Sequence, residues 1–424
     1  MKVLKRLSFI MLACMCLYFP HIKGECKNYV VVLDPGHGGD SLGGNMDDRA
    51  EREINLITAM ACRERLEQYE GIEVYLTREN NTDKELDRKD RLKIAQKYNA
   101  DLFVSIHYNM SEYHTLYGTE VWTPMSGLMY SKTMEFATIV NEDLADLGLF
   151  NRGIKHRMSE DGGEYYGILK YGVEYSIPSV IVEHCHFDNF NDSAFWNEEA
   201  YENFGRVDAD AIAKYFRLSS ESLGLDYSDY ERETFDIPEG KVGPDTTAPE
   251  YCNVEIISNN EANAYCEIRI SAGEPDGLLE YYSISEDGGE TFGALLPWKD
   301  KESGVCETAV DLYTDRQVNL VVRVYNQYDL TCDSEALLLP LAEAMESFEE
   351  EPEDISYIQS EEDELLTESE TDKTDDEAGI SILKICGFIL ISFVLLFVII
   401  LLVYYIKQRS RRKRRKKRKR NATR

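Results

Sequence analysis

Between residues 27 and about 217 the chain alternates two hydrophobic periods. Short, largely apolar runs occur at "YVVVLDPG", "IEVYLTR", "ADLFVSIH", "GTEVWTP" and "PSVIVEHCHF". Runs that are apolar at every position read as strands covered on both faces. Between them lie "EREINLITAMACRERLEQYE", "LDRKDRLKIAQKYN", "YSKTMEFATIVNEDLADLG" and "EEAYENFGRVDADAIAKYFRL". In the first of these, Ile54, Ile57, Ala61 and Leu66 recur at near-helical spacing. The alternation predicts an α/β domain over 27–217, an open, mostly parallel sheet with helices on both faces.

The pattern then changes. Residues 218–247 are polar and acidic with scattered Gly and Pro, and read as a linker. From "DTTAPEYCNVEI" to 341, short strands such as "CEIRISAG" and "VNLVVRVYNQ" alternate with turns, which predicts a small immunoglobulin-like β-sandwich over 248–341. Residues 342–380 are mostly acid, Ser and Thr, with little to bury, and read as an extended disordered stalk.

Both ends carry targeting patterns. "MKVLKRLSFIMLACMCLYFP" has basic residues, then an apolar stretch too short to span a bilayer, so 1–24 reads as a signal peptide. Residues 381–406 contain the uncharged "ICGFILISFVLLFVIILLVYYI", long enough to cross ~30 Å of hydrocarbon. The basic tail 407–424 follows at once, and the positive-inside rule puts it in the cytoplasm against anionic lipid. The expected location is the cell membrane, single-pass, with everything before the span outside. The net charge is −32 despite that basic tail, so the outer body is strongly acidic, which argues against nucleic acid as a partner. Of the ten cysteines, Cys252, Cys266, Cys306 and Cys332 fall in the β segment and have the number for two bridges, whose pairing the spacing leaves open. Cys26, Cys62 and Cys185 read as buried thiols.

Three strand ends in the first domain share a feature. "VVVLDPGH" ends at His37, "DLFVSIHYN" reaches His107, and "SVIVEHCHF" contains Glu183. Sites in open α/β sheets form at the carboxyl ends of parallel strands, so these side chains would converge. Glu51 opens the helix after the first loop and is a fourth candidate. Two imidazoles and a carboxylate supply three protein ligands for a catalytic zinc with an open position for water. The glycines around His37 would let the backbone turn tightly and aim the ring.

In order, "LDPGHGG", "EREINL", "TR" with "LDRKDRLKIA", "ADLFVSIHYN", "GTEVW", "NRGIK" and "IPSVIVEHCHFDN" resemble the zinc-dependent N-acetylmuramoyl-L-alanine amidases of the amidase-3 family, AmiC/CwlC-like. The resemblance implies one Zn2+ per catalytic domain, held by His37, Glu51 and His107, with Glu183 as the catalytic carboxylate. It implies hydrolysis of the amide between N-acetylmuramic acid and L-alanine of peptidoglycan. Two rival readings remain at this stage: a non-catalytic wall-binding receptor or adhesin on the same scaffold, and a zinc peptidase cutting within the stem peptide. The sequence departs from the family at "EHCHFDN", where His184, Cys185 and His186 read as polar residues at a pocket rim, and at Tyr108, which would narrow the groove floor. His114 and His156 read as incidental, and 156–167 as a flexible loop. The β-sandwich is expected to be a spacer, with a wall- or protein-binding surface as the alternative.

Overall fold

In the computed structural model the apolar run 30–33 sits inside a sheet rather than at its edge. The structure describes residues 28–343, save 47, 48 and 83. The first lobe is a six-stranded sheet built from β1 (Tyr29–Pro35), β2 (Ile72–Leu76), β3 (Leu102–Asn109), β4 (Thr119–Trp122), β5 (Asn151–Lys155) and β6 (Ser179–His186). Their order is β2-β1-β3-β6-β4-β5. All neighbours run parallel except β4 and β6, which are antiparallel, so the sheet is mixed.

Helices cover both faces. They are α1 (Glu51–Leu66), α2 (Arg88–Tyr98), α3 (Gly127–Ala145), α4 (Gly167–Tyr175) and α5 (Glu198–Phe216). Val31 and Leu33 of β1 point into a core shared with Ile54, Phe136 and Phe204 of α1, α3 and α5. Val30 and Val32 point the other way, to Leu92 of α2 and Ile168 and Leu169 of α4. This two-sided cover explains why β1 and β6 carry no alternation. Two elements escaped the hydrophobic pattern, β5 and α4. Strand β5, "NRGIK", buries Arg152 and Lys155 instead of apolar side chains.

The second lobe is entirely antiparallel. One sheet joins β7 (Tyr251–Asn260), β8 (Tyr265–Gly273) and β11 (Val305–Asp311). The other joins β9 (Leu279–Ser285), β10 (Leu296–Pro297), β12 (Asn319–Asn326), β13 (Thr331–Asp333) and β14 (Leu337–Leu338). Ile268, Ile270, Val322, Val324 and Trp298 form the core between them. The four cysteines of this lobe, read as two bridges, are free thiols, and Cys62 and Cys185 are buried thiols of the first lobe.

The two lobes belong to one compact unit. Residues 218–247, expected as a linker, lie along the first lobe: Ser131 Oγ donates to Phe235 O, and Val242 N donates to Met125 O at 2.7 Å. The lobes meet through a buried ionic cluster. Arg152 contacts Glu120 at 2.8 Å and reaches Asp329 of the second lobe at 3.1 Å and Glu280 at 3.5 Å. Lys155 lies 2.9 Å from Glu120, and Arg152 Nη1 donates to Tyr281 Oη at 3.0 Å. Tyr117 and Phe150 pack against Tyr281 and Leu295 beside it.

The expected signal peptide 1–24, Cys26, the expected membrane span 381–406, the basic tail and all but the first residues of the expected stalk lie outside the described residues. Among those described, no helix is long and apolar enough to cross a membrane.

Candidate metal centre and catalytic groove

The end of β1 is held by buried polar groups that the apolar pattern does not reveal. Asp34 accepts from Thr77 Oγ1 at 2.6 Å, Ser105 Oγ at 2.8 Å and Arg91 Nη1 at 2.6 Å. Burial opposes ionisation of Asp34, but Arg91 and these hydrogen bonds outweigh it and lower its pKa. Arg91 Nη2 also donates to His37 O at 2.7 Å, and Arg78 Nη2 to Gly36 O at 2.8 Å. Two arginines from "TR" and "LDRKDRL" thus clamp the carbonyls of the turn that carries His37. Nothing in the two motifs by themselves announces this role.

His37 itself adopts the left-handed backbone region, with φ of 61°. Gly36 is required for another reason: a Cβ there would stand 2.2 Å from the His107 ring. The loop after His37 returns to place Glu51 at the start of α1, where Gly44 N donates to Glu51 Oε2 at 2.8 Å. His107 lies near the end of β3, directly across the ladder from Glu183 on β6.

These placements bring the predicted ligands together. His37 Nε2 lies 3.0 Å from Glu51 Oε2, and His107 Nδ1 lies 2.8 Å from Glu51 Oε1. The imidazole centroids are 5.1 Å apart. One donor atom from each of the three residues falls within 4.8 Å of the others, the geometry of a single metal site. Burial opposes ionisation of Glu51, but hydrogen bonding to His107 and His37 outweighs it, so the carboxyl stays well below the usual range.

Glu183 faces the same cavity, of about 370 Å³, whose wall is completed by Arg88, Tyr166 and Ile181. Its Oε2 is buried without a hydrogen-bond partner. Burial first, then the charges of Glu51 and Glu120, push its pKa well above the ordinary value. Two carboxylates in one cavity are therefore driven in opposite directions, the arrangement that separates a ligand from a proton carrier. The donor set fits zinc: two imidazoles and one ionised carboxylate, with an orphaned carboxyl oxygen of Glu183 lining the same cavity.

The polar residues beyond Glu183 are not at a rim. His184, Cys185 and His186 are all fully buried. His184 bridges Asp208, at 3.0 Å, and the carbonyl of His107, at 3.1 Å. His186 Nδ1 lies 3.1 Å from Gly118 O, and burial followed by the nearby Arg152 lowers its pKa to about 3, leaving it neutral. With helices on both faces of β6, there is no solvent face for alternation to reach. Tyr108 does not narrow the groove floor either. Its ring turns to the other face, against Tyr201 and Phe204, and its hydroxyl pairs with Thr58 at 2.6 Å. His156 is buried beside Thr123, and His114 pairs with Asp188 at 2.8 Å. The 156–167 segment, read as a flexible loop, is a pinned turn: Met158 bridges Glu164, and Lys241 Nζ donates to Gly162 O.

The first lobe is similar to known proteins. Residues 31–214 match the family described as N-acetylmuramoyl-L-alanine amidase. The amidase CwlM of Bacillus licheniformis is 27% identical over 198 residues, 46% of this chain and 72% of that protein. LytC of Bacillus subtilis is 27% identical over 201 residues, 46% of this chain but 38% of its own length. Among solved structures, the catalytic domain of the amidase CwlV from Bacillus (Paenibacillus) polymyxa var. colistinus is 28% identical, with a TM-score of 0.39, covering 44% of this chain and 98% of that one. Residues 31–214 form an amidase-3 domain, the enzyme domain of the N-acetylmuramoyl-L-alanine amidases.

Proposed function

We propose that the chain is a zinc-dependent, membrane-anchored N-acetylmuramoyl-L-alanine amidase that acts on peptidoglycan outside the cell. The observation that carries this reading is the gathering of His37, Glu51, His107 and Glu183 around one cavity from three strand ends and a helix start. His37, Glu51 and His107 would hold the zinc, which when bound supplies a Lewis acid for the scissile carbonyl and for water.

The chain's own residues do the rest. Glu183 enters the reaction as a base whose raised proton affinity suits it to take the proton of the attacking water. The same oxygen then returns that proton to the departing amine, which leaves as the free amino group of L-alanine. Arg78 and Arg91 keep the His37 turn in place, and His184 ties down the backbone of His107. The anchor is supported by the sequence pattern of 381–406 and the basic tail, and the β lobe is read as immunoglobulin-like from its strand and turn pattern.

Digestion of purified walls by the full-length chain, followed by mass spectrometry, tests the reading. Freed peptides must begin with L-alanine, and the glycan must keep its muramic acid intact. Release must stop on chelation and resume on adding zinc. Peptides beginning at a later residue would make the enzyme a peptidase, and wall binding without metal or release would make it a receptor.

A further inference from the structure

The catalytic cavity does not end at the first lobe. A second groove of about 550 Å³ shares Asn109 and Tyr166 with it and runs on to the junction of the lobes. Its outer wall is the turn after β12, where Tyr328, Asp329 and Leu330 belong to the second lobe. That wall is fixed in position. Arg152 pairs with Asp329, Gln327 Nε2 donates to Ile154 O at 2.9 Å, and His156 N donates to Tyr328 Oη at 3.0 Å.

The charges lining this groove are nearly all spoken for. Arg152 and Lys155 pair with Glu120 and with carboxylates of the second lobe. Asp245 takes its hydrogen bonds from Asn326 and Thr247. Arg157 differs: it is exposed and makes no ion pair among the described residues. Its guanidinium carbon lies 3.8 Å from the centre of the Tyr165 ring. Stacking of this kind orients the plane of the guanidinium; it donates to the Tyr166 hydroxyl, and its remaining N–H groups are open to a carboxylate. The whole body is strongly acidic, and Arg157 puts an exposed positive charge beside this groove.

We propose that the junction groove is the subsite for the peptide side of the substrate, with Arg157 binding a free carboxylate and the second lobe forming the outer wall. This rests on the amidase reading, in which the scissile amide joins a glycan that is uncharged until it is cut to a carboxylate-bearing peptide. A neutral sugar offers a guanidinium only single neutral acceptors, whereas a planar carboxylate accepts two parallel charge-assisted hydrogen bonds from it. The half-buried Leu330 would lie against the apolar part of the same peptide.

Binding of two synthetic peptide amides to the full-length chain tests this, measured by calorimetry. Both begin with L-alanine; one carries a free carboxylate on its second residue and the other has it amidated. The native chain is expected to bind the first about tenfold more tightly, as one charge-assisted pair allows. Arg157→Gln should erase the preference. Leu330→Asp should weaken the acidic peptide by like-charge repulsion, while Leu330→Asn, similar in shape and uncharged, should not. In digestion of wall fragments, Arg157→Gln should reduce kcat/KM about tenfold for free-carboxylate stems, through KM, and much less for amidated ones. Wall hydrolysis with no carboxylate preference, or a preference untouched by both Arg157→Gln and Leu330→Asp, overturns the subsite and leaves the amidase reading intact. A preference that depends on Arg157 in a chain that cuts no wall supports the subsite and sinks the amidase.

Discussion

Glu51 and Glu183 show how one cavity assigns two roles to one residue type. Glu51 is charged because two imidazoles and Gly44 N hold its oxygens, while Glu183 keeps an oxygen with no partner. The difference has a sign that experiment can read. A carboxyl whose folded pKa is raised costs nothing below the unfolded pKa of ~4.3, and its penalty grows as pH rises through the folded value. Glu183→Gln removes that penalty. In chelator-treated protein it should therefore raise stability at pH 7–8 by about 1 kcal/mol or more, the scale of holding a carboxyl neutral against its unfolded-state pKa. The gain should vanish toward pH 4 in thermal melts. With zinc restored, the same variant should lose at least ~10²-fold in hydrolysis. His184 makes the opposite case, a buried ring whose partner is present. His184→Leu would leave Asp208 enclosed without it, at a cost of about 3–5 kcal/mol in urea unfolding. The sequence shows His184 as polar and invites a surface placement. Its partner lies 24 residues further on, in α5, where no local pattern connects the two.

At the scale of elements, strand ends place the chemistry and their contacts leave little room. Gly36 lies under the His107 ring, and a methyl group at 2.2 Å cannot coexist with it. Gly36→Ala should expel the ring, so that zinc content falls from about one per chain and activity with it. Val31 and Leu33 remain in their core, so the loss of stability should be smaller than that of His184→Leu, which calorimetry can compare. The strands that carry the site were legible because they are apolar on both faces, and His37, Glu51, His107 and Glu183 because each stands where such a strand ends or a helix begins. Strand β5 was not legible as a strand. Its core-facing residues are Arg152 and Lys155, whose counterions come from β4 and from the second lobe. Helix α4 is short, and at Gly172 a Cβ would meet Ser179 Oγ at 2.4 Å, so it lies closer to β6 than an ordinary helix surface permits. Such needs follow from the assembled sheet, and no periodicity within nine residues announces them.

At the scale of the whole molecule, Glu120 is the hinge of the argument that the lobes act as one body. It accepts from Asn109 at 2.8 Å near the catalytic cavity and faces Arg152 and Lys155, which carry the contact on to Glu280 and Asp329. Burial opposes its charge, yet Lys155 and Arg152 outweigh burial and hold its pKa far below the ordinary value. Its linkage sign is therefore the reverse of that of Glu183. The stabilisation it gives is complete above the unfolded pKa of ~4.3 and is lost as pH falls through the lowered folded value. Glu120→Gln should cost about 3–5 kcal/mol at neutral pH, because two buried cations lose a shared carboxylate. The gap between native and variant chains should close only in strong acid. Since the cluster is the buried ionic part of the contact between the lobes, the variant should also melt in two steps where the native chain melts in one. A single transition retained in the variant at neutral pH would mean that Tyr117, Phe150, Tyr281 and Leu295 suffice to bind the lobes without the charges.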